Sequence, residues 1–236
     1  MRKLLNLFRS SESQGSGALS YFFERARGDT RGSQLADRWD DVEEVADLRA
    51  EDTVLDVGCA EGLVALAAAR KVRHVHGLEL LTHRVEAARK FAQQENIPNV
   101  TFEEASILDY EIAPLSYDVI FFLGVYAAPT PSGKIGPKEL EKVLKGARRQ
   151  AVIRVEAQVM PEAEGRLDEI LTLMDQLGFD GLCFPKRYPQ HGNIIIGNRR
   201  GSGVKVPGLP ELVILPKRFA TSHPIVRQYY QENGAG

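Results

Sequence analysis

Cysteine is scarce in this chain, with Cys59 and Cys183 the only two among 236 residues. Two widely spaced thiols build no disulfide framework. Neither stands in a C-x-x-C pair or a His/Cys cluster of the kind that holds structural zinc. A reducing compartment, most simply a cytosol, is therefore expected. Long apolar runs are lacking too, none approaching the roughly 20 residues that cross a bilayer. The opening "MRKLLNLFRSSESQGSG" starts basic, but Asn6 and Arg9 break its apolar stretch, which makes a poor secretory signal. A frayed terminus and a short amphipathic contact helix both fit it. No internal repeat is visible. What remains, 43% hydrophobic and 26% charged residues, is ordinary for a soluble globular protein. The length suits one large α/β domain or one domain with appendages.

The formal net charge of −2 conceals an asymmetry. Residues 1–33 carry six Lys/Arg against three Asp/Glu, a net +3, and residues 183–236 carry eight against two, a net +6. That leaves −11 for residues 34–182. Basic ends on an acidic body suit an anionic or nucleic-acid partner, and they equally suit solvated tails.

Residues 10–17 and 27–33 read as loops, with a short helix over "ALSYFFERA" between them. From residue 34 to 48, Leu35, Trp39, Val42, Val45 and Leu48 recur every three or four positions. That is one helical face, with Trp39 as a packing residue. The periods then alternate. Strands are predicted at 53–58, 74–80, 99–105, 117–124 and 150–157. Helices fall between them at 63–70, at 82–97 with Thr82 as cap, and from Gly136-Pro137 through Arg149. A helix over 162–178, ended by Gly178, precedes two strands within 179–199 that only a loop separates. Strand–helix alternation demands a parallel sheet with right-handed crossovers, and the closing pair adds an antiparallel strand. Residues 1–33 then form a flexible N-terminal segment, 34–199 the domain, and 200–236 an extension with enough apolar residues to pack on it or near it.

The stretch "TVLDVGCAEGLVALAAA" (53–69) places an acid and two glycines between the first strand and its helix. Ligands of open α/β sheets sit beyond the carboxyl ends of the strands, which is where this turn lies. Gly58 allows a positive φ and Gly62 a close approach at the helix start, leaving bare backbone for a ligand. A nicotinamide fold wants G-x-G-x-x-G, whose turn brings a pyrophosphate to the helix N-terminus. Here the spacing is Gly58-x-x-x-Gly62, with Asp56 before it and Glu61 within it. Two carboxylates repel a pyrophosphate and suit a cation.

"VLDVGCAEG" resembles the first motif of class I S-adenosylmethionine-dependent methyltransferases, an acid followed by Gly-x-Gly-x-Gly, with Ala60 in place of the middle glycine. Glu79 closes the second strand 21 positions after Gly58, where the family carries the carboxylate that accepts both ribose hydroxyls. Ser106 stands where the family often has an acid facing the adenine amine, with Asp109 just beyond. The resemblance covers about residues 35–199, a typical domain length. It implies a Rossmann-like, mostly parallel seven-stranded sheet with helices on both faces and a closing antiparallel strand. It also implies S-adenosyl-L-methionine as cofactor, S-adenosyl-L-homocysteine as product, and no metal. The implied cofactor-binding residues are Asp56, Gly58, Cys59, Ala60, Glu61, Gly62, Glu79, Leu80, Ser106, Ile107 and Leu123. Cys59 reads as a small buried filler rather than a nucleophile.

Methyl transfer asks a protein to position two reactants and to remove a proton where the acceptor carries one. Tyr126, after the fourth strand, can stack near the methionine moiety or orient the acceptor. Glu156, past the fifth strand, can serve as general base or bind an acceptor hydroxyl; an ion pair with Arg154 or Lys138 is the plainer alternative. His191, beside Lys186, Arg187 and Tyr188, can grip an anionic acceptor and act as base, or lie in a solvated loop. His83 reads as a surface residue. His74 and His76 share one strand face without a third metal ligand. "GVYAAP" differs from the Asn-Pro-Pro-Tyr loop of base methyltransferases. The expectation is methyl transfer to a small or glycan-like polar acceptor, at oxygen. RNA modification, through the basic termini, is the alternative, and a cofactor-binding protein without turnover is the third reading.

Overall fold

The computed structural model describes residues 39, 42–43, 45–126, 128–155, 163–184 and 193–204. Contacts divide the chain into two compact units, Met1–Ser106 and Ile107–Gly236.

In the first unit, β1 (Thr53–Val57), β2 (His74–Glu79) and β3 (Val100–Glu104) run parallel. Helix α1 (Leu63–Ala69) follows β1 and buries every one of its residues. Its alanines let it sit close to the strands. Helix α2 (Thr82–Gln94) buries Val85, Ala88 and Ala92, one stripe at helical spacing. Thr82 was expected to cap this helix. Instead it is the first helical residue, Leu81 holds the cap position, and no side chain caps the end. The helix stops at Gln94, and Asn96 turns the chain with φ 52°. Trp39, Val42 and Val45 are helical and almost wholly buried, as their spacing predicts.

The second unit holds β4 (Tyr117–Leu123), helix α3 (Pro137–Gly146), β7 (Ala147–Val155), helix α4 (Ala163–Gln176), β8 (Phe179–Phe184) and β9 (Asn193–Arg199). A two-residue hairpin, β5 (Pro129–Thr130) with β6 (Gly133–Lys134), has no counterpart in the sequence reading. β4 and β7 are parallel, while β9 runs antiparallel to both β7 and β8. Helix α3 ends three residues before the predicted Arg149. A Cβ on Gly146 would stand 2.2 Å from Ile112 Cγ2, and Ala147 already pairs with Tyr117. The strand ladder takes the segment from the helix. Gly178, with φ 80°, follows α4 as expected.

The seven strands form one sheet in the order β3-β2-β1-β4-β7-β9-β8, mostly parallel with β9 reversed. Among the described residues no helix is long and apolar enough to cross a membrane. The predicted helix at 18–26, most of the extension 200–236, Glu156 and His191 all lie outside the described residues.

Candidate cofactor site

The turn after β1 is built from three positive φ angles: Gly58 at 72°, Ala60 at 51° and Gly62 at 82°. Two are glycines, which adopt them freely, and the third is the small Ala60. The Gly58 and Cys59 N–H groups both donate to Leu78 O, at 2.8 and 2.9 Å, so β2 anchors the turn from its neighbouring position. Gly62 N–H closes back on Cys59 O at 2.9 Å, and Leu66 N–H starts the helix on Gly62 O at 2.8 Å.

Glu79 is the centre of this arrangement. It ends β2 and is only 6% exposed. Its Oε2 accepts the Ala60 N–H at 2.9 Å and its Oε1 the Leu81 N–H at 3.0 Å. One carboxylate thus joins the glycine turn to the loop after β2. A carboxylate offers about four acceptor positions, so each oxygen keeps capacity for a further donor. Asp56, 2% exposed, lies one position before the end of the adjacent β1. Two buried carboxylates at the ends of neighbouring strands concentrate negative charge, and they suit a cation together with hydroxyl donors.

Glu61 is turned to Arg84, whose Nε lies 3.6 Å from Oε1. The negative charge of the turn therefore rests on Asp56 and Glu79 more than on Glu61. Gly62 also answers a packing need. A Cβ there would meet Phe102 Cζ at 2.7 Å and Ala88 Cβ at 3.0 Å. Its missing side chain makes room for the core. Cys59 is buried, and burial pushes its thiol pKa far up, with Asp56 and Glu79 adding repulsion. The thiol stays protonated and unreactive, the filler role expected of it.

Leu80 and Ser106 are half-buried, and Leu81, which the sequence reading passed over, is 40% exposed. Ile107 and Leu123 belong to the second unit, where both are buried. So is Tyr126, 4% exposed, whose hydroxyl donates to Glu169 Oε2 at 2.8 Å. No sequence signal marks Glu169 as its partner, because 43 positions separate the two. His83 is exposed. His76 Nε2 lies 3.1 Å from Glu103, and burial lowers the imidazole pKa against the pull of that carboxylate. His74 Nε2 lies 3.0 Å from Thr101 Oγ1. Among the described residues no group of His, Cys, Asp and Glu could hold a metal.

A family model described as a methyltransferase domain matches residues 48–174. Among curated proteins, an uncharacterized RNA methyltransferase of Listeria monocytogenes serotype 4b is 31% identical over 101 residues, covering 43% of this chain and 22% of that protein. An S-adenosyl-L-methionine-dependent Diels-Alderase of Talaromyces variabilis is 31% identical over 134 residues, 54% of this chain and 46% of that protein. The chain thus spans less than half of each of these relatives. Among solved structures, magnesium protoporphyrin IX methyltransferase from Synechocystis, with S-adenosylmethionine bound, superposes with a TM-score of 0.51 at 17% identity, covering 80% of this chain and 86% of that one. The last similarity is one of fold.

Proposed function

The chain belongs to the class I S-adenosylmethionine-dependent methyltransferase family, whose domain model spans more than half of it, and from that premise we propose that it transfers a methyl group to the oxygen of a small or glycan-like polar acceptor. The observation that carries the cofactor half is the braced Glu79 carboxylate beside buried Asp56. The donor set fits the cofactor. Glu79 would take the ribose hydroxyls on its remaining acceptor positions. Asp56 would oppose the cofactor's positive charge, and the Gly58–Gly62 turn would hold it along the backbone. Leu80 and Ser106 would flank the base, while Ile107 and Leu123 are assigned to the same role on the family pattern. The domain is assigned to residues 34–199, with 1–33 and 200–236 as appendages.

S-adenosylmethionine, when bound, supplies an electrophilic methyl carbon. For an oxygen acceptor the protein must then accept a proton. The Tyr126–Glu169 pair, three residues past β4, supports this reading, since the phenol oxygen can take the acceptor's hydroxyl proton while its own proton passes to the Glu169 carboxylate. Glu156 and His191 are proposed as further acceptor-side groups. RNA modification is the second reading, favoured by the RNA methyltransferase relative and the basic termini. That relative aligns over only 22% of its length, so the match bears on the shared domain more than on its acceptor.

Calorimetric titration with S-adenosylmethionine and S-adenosylhomocysteine tests the cofactor half. Wild type is expected to bind both, and Glu79→Ala to weaken each by tenfold or more, about 1.4 kcal/mol or above. Binding undiminished in both Glu79→Ala and Asp56→Ala would sink the assignment.

A further inference from the structure

Glu61 sits inside the 58–62 turn, and Arg84 sits in the first turn of α2, five positions beyond Glu79. Their side chains are 34% and 31% exposed and pair at 3.6 Å. A half-exposed pair of this kind contributes little to folding stability. Its place is more informative than its strength, because it joins the two segments that carry the proposed cofactor-holding residues. It also adds one negative and one positive charge to a site already holding Asp56 and Glu79. The Cys59 thiol, inside the turn, registers the same order of influence: after burial, Asp56 and Glu79 raise its pKa more than Glu61 does.

We propose that Arg84 tunes the charge selectivity of the cofactor site, offsetting Glu61 and so setting how strongly the site prefers the cationic S-adenosylmethionine over its neutral product S-adenosylhomocysteine. The inference rests on the cofactor reading above and deepens it. The two ligands share adenine, ribose and amino acid, and they differ by a methyl group and the positive charge on sulfur. The ratio of their affinities therefore reads the local potential, while contacts common to both cancel. With Arg84 neutralised, Glu61 adds an uncompensated negative charge and the ratio moves toward the cation. With Glu61 neutralised, Arg84 is left facing the site and the ratio moves toward the neutral product. A unit charge acting over roughly 10 Å at the edge of a protein changes an affinity about two- to tenfold. A shift of that size decides how readily product is displaced by fresh cofactor.

The test is calorimetric titration of wild type, Arg84→Gln, Glu61→Gln and the double variant with both ligands. Arg84→Gln is expected to raise the S-adenosylmethionine to S-adenosylhomocysteine affinity ratio about two- to tenfold, and Glu61→Gln to lower it by a similar factor. The double variant should return close to the wild-type ratio, and about 0.5 M salt should shrink both shifts. The opposed signs protect the test against a single variant that folds poorly. Equal losses for both ligands would make the pair a mechanical clasp and overturn the proposal, as would an unchanged ratio in both single variants. Wild type binding neither ligand would instead overturn the cofactor reading, and this inference with it.

Discussion

A Cβ on Gly62 would stand 2.7 Å from Phe102 Cζ in a backbone with φ 82°, and one on Gly77 would stand 2.6 Å from Phe102 Cδ1 and 2.9 Å from Cys59 Sγ. The ring of Phe102 therefore occupies space left by two glycines, with Cys59 beside the second. Gly62→Ala combines a left-handed alanine with overpacking against a ring and the Ala88 methyl. The expected cost is about 2–4 kcal/mol, read as a drop in the urea midpoint at unchanged slope. A loss below about 0.5 kcal/mol would mean that Phe102 moves aside freely. At this scale the sequence was half legible. The acid–glycine pattern singled out Asp56, Gly58 and Glu79, the residues proposed to hold the cofactor, because their spacing is local and regular. The reason for Gly62 was hidden, since it lies with a ring 40 positions away in another strand. Arg84 and Glu169 were hidden for the same reason: a lone charged residue on a helix announces no partner.

Between β3 and β4 the chain forms no helix, yet this connection is fastened to α3 and to the start of β7. Lys142 Nζ donates to Leu108 O at 3.0 Å, Ile107 O at 3.3 Å and Tyr110 O at 3.4 Å. Further along, Leu115 N–H donates to Lys145 O at 3.0 Å and Arg148 Nη2 to Leu115 O at 2.7 Å. The ammonium gathers three backbone carbonyls of the connection, and charged donors make the stronger bonds. Lys142→Met should keep the aliphatic stem and lose all three. The expected result is faster amide exchange across 107–116, with a local loss of about 1–2 kcal/mol. Unchanged exchange would show that the flanking contacts suffice. The same elements explain the misjudged end of α3. "KVLKGARRQ" reads as continuous helix because Ala, Arg and Gln are good helix formers. Pairing of Ala147 with Tyr117, and Ile112 against Gly146, override that preference. The strands were easier. The apolar runs of β1 and β4 are buried on both sides, β4 from Val119 to Leu123, and such burial writes itself into composition.

For the whole molecule, the order of periods gave the parallel sheet with its reversed strand, and one turn gave the cofactor family. Nothing comparable encodes the acceptor, which is read by scattered side chains rather than by a repeating pattern. The relatives do not remove that gap, because the matched portion is the domain they share. Charge offers a way to decide. The net charge is +3 over residues 1–33 and +6 over 183–236. If those ends grip RNA, each neutralised phosphate releases counterions, and about six to ten such contacts would cost about a thousandfold or more in affinity between 50 and 200 mM salt. A small neutral acceptor has no such dependence. Incubation with methyl-labelled S-adenosylmethionine and a mixture of total RNA and small polyhydroxylated compounds separates the two. Label is expected in the small-molecule fraction, insensitive to ribonuclease and changing little over that salt range. Label in ribonuclease-sensitive material, falling steeply with salt, would overturn the small-acceptor reading and make the basic ends the RNA-holding part of the chain.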